Sequence, residues 1–117
     1  MAVSVTYDIR GNGVVINSST TAPTAAQAQQ VYKQSAVVVF GVTADVQARF
    51  THNWGLDISA AGFFEPEVLI TQLSTVTAFP SFTIDYANTN VLTINKAATD
   101  APVTVVVTLR RPHSVGQ

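Results

Sequence analysis

The alternation of apolar and polar residues along the chain predicts a succession of short β-strands. Residues 2–9 alternate with a period of two and are rich in β-branched side chains, which is typical of a half-buried strand. Residues 36–42 form a continuous apolar run instead, and such a run predicts a strand that is buried on both faces. A further strand is predicted over residues 103–111, which open on an alternation of valine and threonine.

Turn-forming residues separate these segments at regular intervals. Glycine and asparagine recur between the apolar segments, as at residues 11–13 and 88–90, and we predict a further hairpin turn near residues 43–45. About seven or eight short strands at this spacing indicate an all-β fold, an antiparallel β-sandwich. We expect one sandwich domain over residues 1–117, with a short C-terminal tail at residues 112–117.

One short α-helix is predicted at about residues 24–34. Thr24 is suited to the N-cap, and Gln27 follows three residues later, as in a capping box. The alanines and glutamines that follow are good helix formers. Ala28 and Val31 would give the helix a narrow apolar face.

The low content of charged residues suggests that much of the surface is covered in an assembly. Charged residues make up 11% of the 117 positions, against about 25% in an ordinary soluble domain. Six basic and seven acidic residues leave a net charge of −1, and a net charge near zero favours association. A neutral, threonine-rich monomer is the alternative.

The same charge balance argues against nucleic acid as a partner. Nucleic-acid binders gain most of their affinity from clustered lysine and arginine, and the only adjacent basic pair is Arg110-Arg111. No apolar run reaches the ~18 residues of a membrane span, and the first residues do not resemble a secretory signal. We therefore expect no nucleic acid, no membrane and no export by that route.

Catalytic and metal-binding patterns are lacking as well. The chain has no cysteine and no GxSxG motif, and its two histidines, His52 and His113, lie far apart without a metal-binding spacing. A metal site would need carboxylates such as Asp57 or Glu65. We predict that the protein is not an enzyme and uses no cofactor or metal.

Six residues are candidates for a protein interface: Trp54, Phe63, Phe64, Arg110, Arg111 and His113. Trp54 follows a turn and fits either packing at one end of the sandwich or an anchor in an interface, where tryptophan is enriched. Phe63 and Phe64 lie in a predicted loop. Arg110, Arg111 and His113 form a cationic end, which either discourages edge pairing or binds a carboxylate of another chain.

Four segments of this sequence resemble small structural proteins of tailed bacteriophages. They are TYDIRG at residues 6–11, TAPTAAQAQQ at 21–30, THNWGL at 51–56 and RRPHS at 110–114. The nearest resemblance is to head decoration, or cement, proteins. It implies a virion protein without an active site, made in the host cytoplasm, that sits on the capsid surface, often as a trimer, and clamps neighbouring subunits of the major capsid protein.

Two other functions remain open from the sequence. One is a tail, neck or fibre-associated virion protein, which the same four segments would fit. The other is a carbohydrate- or host-surface-binding module, in which loop aromatics such as Trp54, Phe63, Phe64 and Phe79 would stack on sugars.

Overall fold

The computed structural model describes residues 3–11, 13–55, 66–73, 81–97 and 102–111. Within these ranges the chain forms eight β-strands and one α-helix. In chain order they are β1 (Ser4–Gly11), β2 (Val14–Asn17), α1 (Ala25–Ala28), β3 (Lys33–Phe40), β4 (Gln47–Thr51), β5 (Glu67–Gln72), β6 (Phe82–Asn88), β7 (Val91–Lys96) and β8 (Val103–Arg110).

The strands form two antiparallel sheets. The larger sheet has five strands in the order β2-β1-β3-β8-β5, and the smaller has three in the order β4-β7-β6. The predicted all-β, sandwich-like fold with one short helix is thereby confirmed.

The two strands nearest the ends of the sequence, β1 and β8, lie in the same sheet, on either side of β3. Strand β8 pairs with β3 over eight consecutive residues, from Lys33 opposite Arg110 to Phe40 opposite Val103. Because β1 and β5 flank this pair, β3 and β8 form the centre of the larger sheet, and their directly opposed side chains define its two faces.

The core lies between the two sheets. From the larger sheet it receives alternate residues of β1, β3 and β8, and from the smaller sheet residues of β4 and β7. The ring of Tyr7 meets that of Phe50 edge to face at 5.3 Å, and the Tyr7 hydroxyl accepts a hydrogen bond of 3.0 Å from the Thr51 N–H. One side chain thus joins the two sheets through both packing and hydrogen bonding.

The helix is shorter than the sequence predicts, although its cap is correct. The Thr24 side chain accepts a hydrogen bond from the Gln27 N–H, and Gln27 bonds back to the Thr24 N–H, which completes the capping box. The helix ends at Ala28, and residues 29–30 form a turn. A helix this short gains little intrinsic stability, and the pairing of β3 with β8 from Lys33 onward imposes the extended conformation.

The predicted hairpin near residues 43–45 is wrong, because β3 and β4 belong to different sheets. Strand β4 pairs with β7, so the connection crosses from the larger sheet to the smaller one. The Asp45 carboxylate accepts hydrogen bonds from the N–H groups of Gly41 (2.9 Å) and Val42 (3.1 Å). This side-chain bonding satisfies the backbone donors at the crossing, where no ladder partner is available.

The prediction that the run at residues 36–42 is buried on both faces is also wrong. The inward residues Ala36, Val38 and Phe40 are fully buried, but Val37 and Val39 on the other face are only half-buried. The smaller sheet covers one face of the larger, and no described element packs against the other. The described part of the chain therefore leaves one face of this valine-rich strand uncovered.

Candidate protein-binding surfaces

The uncovered side of the larger sheet, here called the open face, is built mainly from valine and threonine. Direct pairing aligns its side chains in rows across the strands. The central row crosses β1, β3, β8 and β5 at Thr6, Val37, Val106 and Thr71. The neighbouring rows contribute Ser4, Val39 and Thr104 on one side, and Ser35, Thr108 and Leu69 on the other.

Charged side chains on this side of the sheet are confined to one end. Lys33, Arg110 and Glu67 stand in one row across β3, β8 and β5, and Asp8 borders it on β1. The rest of the open face has no ionisable group among its described residues, and Leu69 on it is 61% exposed. Most of the open face is therefore uncharged.

The charged end continues into a cluster of cations around one tyrosine, here called the cationic end. Tyr32 is 68% exposed and lines two adjacent clefts. One, of about 350 Å³, is also lined by Arg10 and Lys33. The other, of about 290 Å³, is lined by Lys33, Arg110 and Arg111. Four of the six basic residues of the chain thus border these two clefts.

Two of these four cations have carboxylate partners. Arg10 Nε lies 3.0 Å from Asp8 Oδ1, and Arg110 Nε lies 3.6 Å from Glu67 Oε1. All four of these side chains are about half or more exposed, so both pairs are weakly held. Within the described part of the chain, Lys33 and Arg111 form no ion pair; the Arg111 guanidinium donates a long hydrogen bond of 3.4 Å to the neutral Gln29.

The backbone fixes the position of this cluster. The Arg111 N–H donates a 2.7 Å hydrogen bond to the Tyr32 carbonyl oxygen, which extends the β3–β8 ladder by one residue. Lys33 and Arg110 are directly opposed in that ladder. Like charges in directly opposed positions repel each other, and Glu67, which faces Arg110 from the other side of the row, offsets part of this repulsion.

Trp54 does not offer a surface anchor. It is 3% exposed, and its indole N–H donates a 2.9 Å hydrogen bond to the Ala28 carbonyl oxygen. The interface interpretation of Trp54 is therefore corrected: the ring packs at the end of the sandwich and holds the short helix there. The preceding Asn53 adopts a left-handed conformation (φ 56°), and its side-chain amide donates to the Pro23 carbonyl.

His52 is part of the same packed turn. It is 2% exposed, its ring lies 5.3 Å from that of Trp54, and its Nδ1 accepts a 3.1 Å hydrogen bond from the Trp54 backbone N–H. Burial lowers the pKa of His52 from 6.5 to about 4, because the interior disfavours the charged ring. His52 is thus a neutral structural residue at neutral pH.

Several residues singled out from the sequence lie outside the described ranges. These are Phe63, Phe64, Phe79 and His113 among the interface and stacking candidates, the carboxylates Asp57 and Glu65, and the tail at 112–117. Within the described ranges, no three histidine, cysteine or acidic side chains gather as metal ligands would. The helix found there is also too short to cross a bilayer.

The sequence interpretation of the cationic end was incomplete. Strand β8 lies between β3 and β5 rather than at an edge, so the arginines that follow it do not guard an exposed strand edge. The partners Tyr32, Lys33 and Arg10 were missed, because they are distant in sequence and only the register of β3 against β8 and β1 brings them to Arg110 and Arg111. An exposed tyrosine followed by a lysine at the start of a strand was the available signal.

Comparison of the chain with protein-family models, with curated proteins and with solved structures finds no match in any of the three.

Proposed function

We propose that this protein is a non-catalytic structural protein of a bacteriophage virion, and that it decorates and stabilises the capsid shell as a homotrimer. The open face carries the proposal. Its central residues, Val37 opposite Val106, are of a type usually found in protein interiors. The described chain nevertheless leaves this face uncovered. The valines and Leu69 give this face apolar surface without charge, and permanent interfaces are more apolar than transient ones.

The occupant of the open face in this proposal is a second copy of the chain. The uncharged rows bring no like charges together when copies meet, and the net charge of −1 adds little repulsion at longer range. Four strands at about 4.8 Å spacing, over rows covering about 20 Å, give a projected area of roughly 400 Å². That is a substantial part of the about 800 Å² per partner of an ordinary stable interface.

The capsid as the site of action is supported by the resemblance of four sequence segments to phage decoration proteins and by the low charge of the chain. A trimer bound at many places on a shell would link adjacent subunits and would multiply weak contacts through avidity. Burial of Trp54 removes one of the four aromatic residues that a carbohydrate-binding module would use.

Quantitative mass spectrometry of purified particles of the phage that encodes the chain tests the proposal. We expect hundreds of copies per particle, in a fixed ratio to the major capsid protein. About a dozen copies or fewer would overturn the decoration role in favour of a tail, neck or fibre position. Absence from the particle would overturn the virion proposal altogether.

A further inference from the structure

We propose that the cationic end is a binding site for an acidic segment of a partner protein. This inference goes beyond the proposed function, since it rests on the geometry around Tyr32 and holds whether or not the chain decorates a capsid. It identifies the chemistry that the site recognises: an extended peptide with carboxylates at alternate positions.

The first argument is the concentration of charge. Arg10, Lys33, Arg110 and Arg111 border two neighbouring clefts, although the chain as a whole carries a net charge of −1. Among the residues that the structure describes, the paired carboxylates Asp8 and Glu67 offset two of the four cations and leave a local excess of two positive charges. Positive charge gathered at one place on an otherwise neutral protein attracts acidic ligands to that place, whereas charge spread over the whole surface mainly keeps a protein soluble.

The second argument is the unfavourable placement of the two cations Lys33 and Arg110 directly opposite each other in the β3–β8 ladder. A carboxylate placed between them would turn a repulsive cross-strand pair into two attractive contacts. Arginine also offers a planar, bidentate donor set that matches a carboxylate. The ladder fixes the backbone positions of both residues before a ligand arrives, so that only their side chains lose entropy on binding.

The third argument is the shape of the site. Tyr32 and Lys33 line both clefts, so the two clefts adjoin at these residues. In an extended peptide, residues two positions apart point to the same side and are separated by about 7 Å. Carboxylates at such positions can enter one cleft each, with the peptide backbone crossing the tyrosine. Tyrosine and arginine together are also the residues most often found at the centre of protein interfaces.

A peptide fits this site better than a nucleic acid does. Nucleic-acid binding depends on many phosphate contacts along an extended basic surface. Here the excess is two charges at one end of the open face, and the row beyond them contains Asp8, Ser35, Thr108 and Leu69. Two or three carboxylates match the number of available donors.

Fluorescence anisotropy with a labelled peptide of alternating glutamate and glycine, EGEGEG, tests the assignment on the full chain. We expect saturable binding that weakens as salt is raised, and no binding of the matched glutamine peptide QGQGQG. The double variant Lys33→Gln/Arg111→Gln should bind EGEGEG about tenfold more weakly, since it removes both unpaired cations. Tyr32→Ala should also weaken binding.

The matched control is Arg49→Gln, which removes one exposed positive charge from β4 in the smaller sheet. It should bind the peptide like the unmodified protein, and circular dichroism should show that all variants are folded. Equal weakening by Arg49→Gln, or no anisotropy change up to millimolar EGEGEG, would overturn the proposal. Tighter binding of an oligothymidylate of equal charge would overturn it in favour of a nucleic-acid site. Each of these results is independent of where the protein is found in a particle.

Discussion

Protonation of His52 opposes folding. Its pKa is lowered from 6.5 to about 4 by burial, so between these values the unfolded chain binds a proton at this residue that the folded chain does not. The contribution of His52 to stability is therefore fully present above pH 6.5 and is lost as the pH falls toward 4. The loss due to this residue is about 3 kcal/mol, and denaturant unfolding at several pH values would measure it.

A substitution of His52 itself tests this prediction. His52→Gln removes the titrating ring, so the fall in the free energy of unfolding between pH 6.5 and 4 should become smaller by that amount. An unaltered fall for His52→Gln would show that His52 is not the group responsible.

Trp54 stabilises the fold both by packing and through its indole N–H. We expect Trp54→Ala to lower the free energy of unfolding by about 3–5 kcal/mol, because it leaves a large cavity in the core. Trp54→Phe should cost less, since it loses mainly the hydrogen bond to the Ala28 carbonyl oxygen. Urea denaturation followed by circular dichroism would measure both values.

Tyr32→Ala is the matched control for an aromatic residue outside the core. Tyr32 is 68% exposed, and its backbone bond to Arg111 survives the substitution, so its loss should change stability by no more than about 0.5 kcal/mol. Equal destabilisation by the tryptophan and tyrosine substitutions would contradict the packing described for Trp54.

The short helix α1 depends on Gln27 more than on its own length. The Gln27 Oε1 accepts from the Thr24 N–H at 3.0 Å, and its Nε2 donates to the Ile16 carbonyl oxygen at 3.3 Å. One side chain thus closes the capping box and ties the helix to β2. We expect Gln27→Ala to cost about 1–2 kcal/mol in thermal or chemical unfolding.

Gln30 provides the comparison, since it is an exposed glutamine in the turn that follows the helix and bonds only to the nearby Ala26 carbonyl oxygen. Gln30→Ala should cost less than about 0.5 kcal/mol. If the two substitutions were equally mild, the link between α1 and β2 would have no energetic importance.

The periodicity of the sequence could predict which segments are strands, but not which strands are neighbours. The alternation in β1 and the cap at Thr24 depend on residues close in sequence, and both agree with the structure. The end of α1 and the crossing at Asp45 depend on β3 pairing with β8 and β4 pairing with β7. Such long-range pairing is set by the packing of the whole core, which a local pattern does not contain.

The candidate surfaces show the same division. Arg110 and Arg111 are adjacent in the sequence, so the sequence alone identifies them as a cationic pair. Lys33 and Tyr32 become their neighbours only through the pairing of β3 with β8. The apolar run at 36–42 led to a wrong prediction of burial on both faces, because its outward valines lie on the open face. A position buried by a neighbouring copy and a position buried by the same chain favour the same apolar residue types, so composition alone does not distinguish the two kinds of burial.

At the scale of the whole molecule, the open face predicts self-association. We expect light scattering to give the mass of a trimer for the purified protein. Leu69→Lys, which places a charge on the open face at an exposed position, should shift the protein toward the monomer without unfolding it, because three copies would bring three like charges into the interface.

Thr83→Lys is the control for the added charge, since Thr83 is exposed on β6 in the smaller sheet. It should leave the trimer intact. A monomer at high concentration for the unmodified protein, or an unaffected trimer for Leu69→Lys, would contradict self-association through the open face.

The position of β8 between β3 and β5 also constrains how the protein is made. While the ribosome is still translating residues 103–110, β3 and β5 lack the strand that joins them, and β3 presents an unpaired, valine-rich edge. Sheets closed by such distant pairing fold slowly, and unpaired edges promote aggregation of nascent chains. The larger sheet is therefore completed only after translation has passed residue 110, and until then the valines of β3 lack the strand that pairs with this edge.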